Sequence, residues 1–549
     1  MKPSLKSERS LFLYYRTSIK SLNYISMKKL FVIAGIALTT FSCGTAPQQT
    51  PKAETKTAVN PTVYASSITS GELKEMLYTF ASDEFEGRHT GEKGQKMAVE
   101  YLKNHYVSMG IPSPISENDY FQEVPLLNQK APEIDMTVNG DTFKNYEDLV
   151  MSGAATSQTI NASEIIYVGY GIEDENYSSY KGLDVKDKIV LIKSGEPKNA
   201  DGTYITSGTK EDTKWSVGRQ ALATKRDIAR KKGVKALLFM DDAYLKMVSK
   251  YMESAAQSGN DGRITLKDKQ ETMLQILISE KLGKSLLPSI DTEDTSKTIA
   301  TKLNINITSN SEDVNSENVV AFIKGSEKPD EVIVISAHLD HEGIKNGEIY
   351  NGADDDGSGT VAILEIAEAF KKAQDAGHGP KRSILFLHVT GEEKGLLGSS
   401  YYADIDPIFP LENTVANLNI DMIGRIDPKR EGDRNYIYLI GSDKLSTELH
   451  NISEDVNKKF TNIALDYKFN DDNDPNRFYY RSDHYNFAKN NVPVIFYFNG
   501  THGDYHRPSD TPDKIEYDLL ENRARLVFYT AWELANRANR IVVDKAIEK

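Results

Sequence analysis

Three aspartates stand side by side in "NGADDDGSGT" (351–360), with glycines on both flanks. Adjacent carboxylates repel, and a fold gains nothing from crowding Asp354, Asp355 and Asp356 unless positive charge sits among them. Other residues able to bind such a charge follow directly after apolar runs. "VIVIS" leads into His338, Asp340 and His341, "ILFLHVTG" into Glu392 and Glu393, and "VANLNI" into Asp421. Near the end, "THGDYHRPSDTPDKI" supplies His502, Tyr505, His506 and Asp510. Imidazoles and carboxylates without thiolates suit Zn²⁺, Mn²⁺ or Co²⁺ in a hydrolytic centre. Singly, each has an ordinary explanation. A histidine after a strand is commonly a hydrogen-bonded structural residue, and paired glutamates commonly mark a solvated turn or an acidic helix start. Convergence of several such strand ends on one sheet edge is what points to metal. His378 and His388 lack this company and read as structural.

Two acidic stretches invite another reading. "DDDGSGTVAILE" (354–365) nearly fits a calcium-binding loop, with Asp354, Asp356, Ser358, Gly359 and Glu365 at the required positions. That motif needs an entering helix, and here a strand and "NG" precede it. Val361 to Phe370 already read as helix, which places Glu365 on a helix face. "NDDNDPN" (470–476) lacks the turn glycine and reads as a solvated loop.

The elements that must position these residues alternate along the second half of the chain. "EVIVISAHLD", "KRSILFLHVTGEE", "TVANLNIDMIGR" and "NYIYLIGS" read as buried strands, and "TVAILEIAEAFKKAQ" and "KLSTELHNISEDVNKKF" as helices. This alternation predicts an α/β fold with a mostly parallel sheet under helices, where function gathers beyond the carboxyl ends of strands. Upstream, "KMAVEYLKNHYVSMGI" has helical spacing closing on Gly110, and "YFQEVPL" is a short strand. Residues 132–301 change texture to β-rich runs such as "SEIIYVGYGI" and "KIVLIKSG" with no catalytic constellation. This change of texture divides the region after the amino-terminal end into 63–131, 132–301 and 302–549.

The amino-terminal end has a different character. "MKKLFVIAGIALTTFSC" (27–43) places two lysines before an apolar run that ends in Ser42 and Cys43, the single cysteine of the chain. It is too short to span a bilayer stably and reads as an export signal of the lipoprotein type, with Cys43 lipidated. Residues 1–26 read as upstream sequence and Met27 as the start; 44–62, rich in Pro and Thr, reads as a flexible tether. A net charge of −14 over 549 residues disfavours nucleic acid as a partner.

The stretches "SAHLDH", "NGADDDGSGT", "TGEEKGLLGS", "NIDMIGR", "RSDHYNF" and "DYHRPSDTPDKI", in this order within 332–515, resemble the di-zinc aminopeptidases. "FASDEFEGRHTGEKG" matches as well, and 132–301 resembles an inserted protease-associated domain. The resemblance implies a three-layer α/β/α zinc-peptidase domain holding two Zn²⁺, with Co²⁺ or Mn²⁺ as substitutes. It implies that His338 and Asp421 hold one ion, Glu393 and His506 the other, and that Asp354 bridges them. Asp340 would accept the His338 ring N–H, and Asp355 would follow Asp354 through a cis peptide. Glu392 would be the general base and Tyr505 the donor to the oxyanion, with Arg481 assisting or holding substrate. His341 and His502 would stand outside the metal shell, and Asp356 would cap the helix beginning near Gly359. No expected ligand is missing. The expectation is an exported, lipid-anchored bacterial envelope enzyme that removes N-terminal residues from peptides. The alternatives are a carboxypeptidase, a one-zinc glutaminyl-cyclase-like transferase and a non-catalytic surface binder.

Overall fold

The computed structural model describes residues 59–153, 155–216, 218–258, 262–267 and 273–546. The export signal, Cys43 and most of the proposed tether lie outside these residues. The site-bearing sheet has nine strands: β1 Phe121–Gln129, β2 Arg263–Leu266, β3 Glu312–Ile323, β4 Lys328–His338, β5 Arg382–Val389, β6 Thr414–Ile420, β7 Tyr436–Ile440, β8 Ala464–Asp466 and β9 Val494–Phe498. Their spatial order is β8-β7-β9-β6-β4-β5-β3-β1-β2. The central strands β9, β6, β4 and β5 run parallel, as do β7 and β8. The pairs β7–β9, β3–β5, β1–β3 and β1–β2 are antiparallel. The sheet is therefore mixed in equal parts, not mostly parallel. An apolar run announces a buried strand without announcing its direction.

Helices cover both faces, because the central strands are apolar on both sides. Alternation sends Ile333, Ile335 and Ala337 of β4 into one core and Val332 and Val334 into the other. The first core is closed by α1 Ser70–Phe80, α2 Lys93–Met109, α3 Gly359–Asp375, α5 Thr447–Phe460 and α6 Tyr517–Asn536. The second is closed by α4 Leu397–Asp404 and the short helix His484–Ala488. Helix ends follow local chemistry. Thr69 caps α1, accepting from the Glu72 amide while its hydroxyl donates to the Glu72 carboxylate, and α2 stops on Gly110 in the left-handed region.

A second, eight-stranded sheet is built from strands between Glu133 and Thr308 and has its own cores on its two faces. The boundary expected at 301 falls inside its strand Lys297–Thr308, and β2 leaves this segment to pair with β1 of the first sheet. Among the described residues no helix is long and apolar enough to cross a membrane.

Candidate metal centre

The carboxyl ends of β4, β5, β6 and β9 lie side by side, so the residues after them meet. His338 ends β4. Its ring Nδ1–H donates to the Asp340 carbonyl at 3.0 Å, which leaves Nε2 with its lone pair facing the centre. Nε2 stands 3.1 Å from Asp355 Oδ1 and 3.6 Å from Asp421 Oδ1. The other oxygen, Asp355 Oδ2, stands 3.0 Å from His506 Nε2, and that nitrogen is 3.2 Å from Glu393 Oε2. The two oxygens of Asp355 thus face two separate sets of donors.

Asp354, expected as the bridge, lies outside this cluster. Its carboxylate accepts from the Gly424 amide at 2.6 Å, and from Ser358 Oγ, Asn499 Nδ2 and His502 Nε2 at 3.1 Å each. Asp356 faces the scaffold too, accepting from the amides of Met422, Gly359 and His338. The backbone leaves helical geometry at Asp355 and Asp356, and the three side chains take different directions. The first and third aspartates bind the frame and the middle one enters the centre. The cis peptide joins Asp355 to Asp356, one residue later than expected. The expected helix-capping contact of Asp356 with Gly359 is present.

Asp340 also differs from expectation. It is its carbonyl that accepts from His338, while its carboxylate accepts from the Glu392 amide at 3.1 Å and the Thr90 hydroxyl at 2.7 Å. His341, expected outside the shell, has Nδ1 2.9 Å from Glu393 Oε1 and 3.9 Å from Asp355 Oδ2. His502 supports Asp354 from outside the cluster. Its Nδ1 accepts from the Asp504 amide, so Nε2 carries the proton. Asp510, noted in the sequence without a role, accepts from the amides of Asp354 and Asp355 at 3.0 and 3.2 Å. It was not legible as a loop anchor because its partners lie far away in sequence. Glycine is required at two points. A Cβ on Gly424 would meet Asp354 Oδ1 at 2.9 Å, and one on Gly352 would meet the Asp355 carbonyl at 2.2 Å.

The donor set fits divalent cations. Zinc bonds of about 2.0–2.1 Å in tetrahedral array place neighbouring ligand atoms roughly 3.3 Å apart, close to the separations seen here. His338 Nε2, Asp355 Oδ2 and Glu393 Oε1 are buried without a well-formed hydrogen bond. Lone pairs that converge without pairing mark space for a cation. Charge tells the same story. Burial pulls the His338 imidazole down, but Asp355 and Asp421 outweigh it and hold it well above the usual histidine value. Burial likewise works against His506, which Asp355 and Glu393 push up to about 10. Burial opposes ionisation of Asp355 and Glu393; the imidazoles still hold Asp355 well below the carboxylate range and Glu393 at about 2. Carboxylates held low and imidazoles held high in one buried cluster mark a site whose negative charge calls for a cation.

Beside the cluster a pocket is lined by Asp355, Glu392, Asp421, Met422, Phe478, Phe496, Phe498, Thr501, Arg481 and Tyr505. Glu392 belongs to none of the groups that could hold a metal. Burial and the adjacent Glu393 push its carboxyl well above the usual range, against the pull of His338. The Tyr505 ring stacks on His506 with centroids 3.9 Å apart, and burial and the nearby carboxylates keep its hydroxyl protonated. The exposed Arg481 lies over the Phe478 ring at 5.0 Å.

Fold and cluster together define a class: an α/β domain whose parallel strand ends carry a buried histidine–carboxylate cluster able to hold metal. Residues 318–531 match the family model "Peptidase family M28". A probable glutamate carboxypeptidase LAMP1 of Arabidopsis thaliana is 34% identical over 105 residues, 19% of this chain and 14% of that protein. A probable zinc metalloprotease of Pyrenophora tritici-repentis is 38% identical over 117 residues, 20% of this chain and 22% of its own length. The chain thus spans less than a quarter of the length of these curated relatives. Among solved structures, an aminopeptidase from Aneurinibacillus sp. strain AM-1 is 18% identical, covering 88% of this chain and 98% of its own, with a TM-score of 0.44. The LapA aminopeptidase of Legionella pneumophila is 25% identical, covering 41% and 56%, with a TM-score of 0.34.

Proposed function

We propose that the chain is a zinc-dependent exopeptidase that removes N-terminal residues from peptides. The observation that carries this is Asp355, whose two oxygens face His338 with Asp421 on one side and His506 with Glu393 on the other, beside a free Glu392. On this reading Asp355 and those four residues would hold two zinc ions, with His341 beside Glu393. Bound zinc supplies a Lewis acid for the scissile carbonyl and lowers the pKa of water. Glu392, oriented by its amide bond to Asp340, takes the proton from the attacking water and delivers it to the leaving amine. The Tyr505 hydroxyl donates to the oxygen that gains charge. The apolar wall of Phe478, Phe496, Phe498 and Met422 receives a side chain of the substrate.

Arg481 supports a second reading, a carboxypeptidase, because an exposed guanidinium at the pocket suits a C-terminal carboxylate. A panel of free and N-blocked aminoacyl fluorogenic substrates, together with N-blocked peptides bearing a free C-terminal carboxylate, with and without chelator, separates the two. Cleavage of free substrates alone supports the aminopeptidase; cleavage of blocked substrates alone rejects it. We further infer that the second sheet is a protease-associated insert limiting access to the site. The chain is read as an envelope lipoprotein anchored through Cys43, with peptides as substrates and no nucleic-acid partner. Replacing Cys43 by Ala and following membrane fractionation tests the anchor.

A further inference from the structure

The stretch Asp83–Thr90 lies outside the matched region 318–531, yet it reaches the centre at three points. Arg88 is fully buried. Among the described residues it has no carboxylate within ion-pair distance, and its donors go to main-chain carbonyls instead. Nε donates to Leu339 at 2.9 Å, Nη1 to Asn351 at 2.7 Å and Phe80 at 3.1 Å, and Nη2 to Gly352 at 2.9 Å. Leu339 follows His338 directly, and Asn351 and Gly352 lead into Asp354 and Asp355. One rigid fork therefore ties together the two loops that supply ligands to the first ion. The Arg88 carbonyl accepts from the His341 amide at 3.2 Å, completing the seam.

Thr90 acts on the other side. Its hydroxyl donates to Asp340 Oδ2 at 2.7 Å, while Asp340 Oδ1 accepts from the Glu392 amide at 3.1 Å. Thr90 is thus two hydrogen bonds, through Asp340, from the residue proposed as general base. The segment is held by its own backbone: Gly87 has φ +66°, and a Cβ there would meet the Tyr350 carbonyl at 2.4 Å. Buried arginine as such does not explain this arrangement. Arg382 is equally buried, but it donates to Leu534 and Arg537 at the end of α6, far from any ligand loop.

We propose that Arg88 and Thr90 are positioning residues of the metal centre: Arg88 fixes the His338 loop against the Asp355 loop, and Thr90 fixes Glu392 through Asp340. This rests on the two-ion peptidase reading for its activity arm but not for its zinc arm. The test uses the full chain with Arg88→Lys, Thr90→Val, Thr90→Ser and, as a buried-arginine control, Arg382→Lys. Zinc affinity is read by competition with a chromophoric chelator, alongside kcat, KM and melting temperature. Lysine has one ammonium and cannot span both loops, so Arg88→Lys should weaken zinc binding roughly ten- to a hundred-fold, the range for lost support of metal ligands. Arg382→Lys should leave zinc affinity within about two-fold. Thr90→Val should lower kcat roughly ten-fold with KM nearly unchanged, and Thr90→Ser should restore it. Unchanged zinc affinity in Arg88→Lys overturns the Arg88 role. A kcat loss in Thr90→Val that serine does not repair, or no loss at all, overturns the Thr90 role. A wild-type chain that binds zinc but cleaves no peptide refutes the peptidase reading, while the zinc competition still decides on Arg88.

Discussion

The one-residue register of the aspartate triplet makes the sharpest prediction. Asp355→Asn keeps size and removes one negative charge from between the two donor sets. The amide offers one carbonyl oxygen where the carboxylate faced His338 at 3.1 Å and His506 at 3.0 Å. On the two-ion reading, its NH₂ would point at one of the ions. Losing a bridging charge beside two dications costs several kcal/mol of transition-state stabilisation. At about 1.36 kcal/mol per factor of ten, ~4 kcal/mol corresponds to a roughly thousand-fold fall in kcat/KM. Asp354→Asn acts differently. The asparagine oxygen still accepts from Gly424 N and Ser358, but its NH₂ confronts the donors Asn499 Nδ2 and His502 Nε2. One mispaired buried donor costs about 1–3 kcal/mol of stability, with activity lowered roughly ten-fold at most. Both variants should be assayed at saturating zinc for kcat/KM, for zinc per chain and for melting temperature. If Asp354→Asn abolishes zinc binding while Asp355→Asn stays active, the bridge is Asp354 and the assignment from the contacts of Asp355 is wrong.

Three further outcomes are expected. Glu392→Gln should lower kcat by a factor of about 10²–10⁴ with zinc content unchanged, and loss of zinc in that variant would make Glu392 a ligand. Tyr505→Phe should lower kcat about ten- to a thousand-fold with little effect on KM; an effect confined to KM would place the hydroxyl on bound substrate only. Glu365 is only 4% exposed on α3, and burial pushes its carboxyl up to about 8, although it accepts from the Thr69 amide at 3.1 Å. Its folded pKa lies above the ordinary value of 4.5, so the folded state holds this proton more tightly and stability falls as pH rises from 4.5 to about 8. Glu365→Gln should therefore gain ~1–3 kcal/mol over wild type at alkaline pH and little near pH 4. Denaturation midpoints across that window check it, and a gap independent of pH refutes it.

Much of the centre was legible because its parts follow strands. His338, Glu393, Asp421 and His506 each stand at or beyond the carboxyl end of a parallel strand, and neighbouring parallel strands bring such ends together. Within the triplet, three identical residues offer nothing to choose between them; only their contacts in the fold do. The calcium-loop resemblance fails for the reason visible in the sequence, since Glu365 sits on the face of α3 and reaches Thr69 rather than the loop. The acidic stretch 470–476 is not wholly a solvated loop. Asp471 and Asp472 are exposed, but Asp474 is buried and accepts from the amides of Asn476 and Phe478, shaping the turn that sets Phe478 in the pocket. The roles of Asp510, Arg88 and Thr90 depend on contacts about 150–260 residues apart, which no local pattern encodes.

The central claim is that Asp355 joins two cation sites serving one hydrolytic reaction. Its most direct test is to strip the chain of metal, titrate zinc back, and follow zinc bound and peptide hydrolysis together. Hydrolysis of peptides with a free N-terminus that reaches its plateau at about two zinc ions per chain, and is lost again with chelator, is the predicted result. Full activity at one ion, cyclisation of N-terminal glutamine in place of hydrolysis, or hydrolysis indifferent to chelator would contradict it.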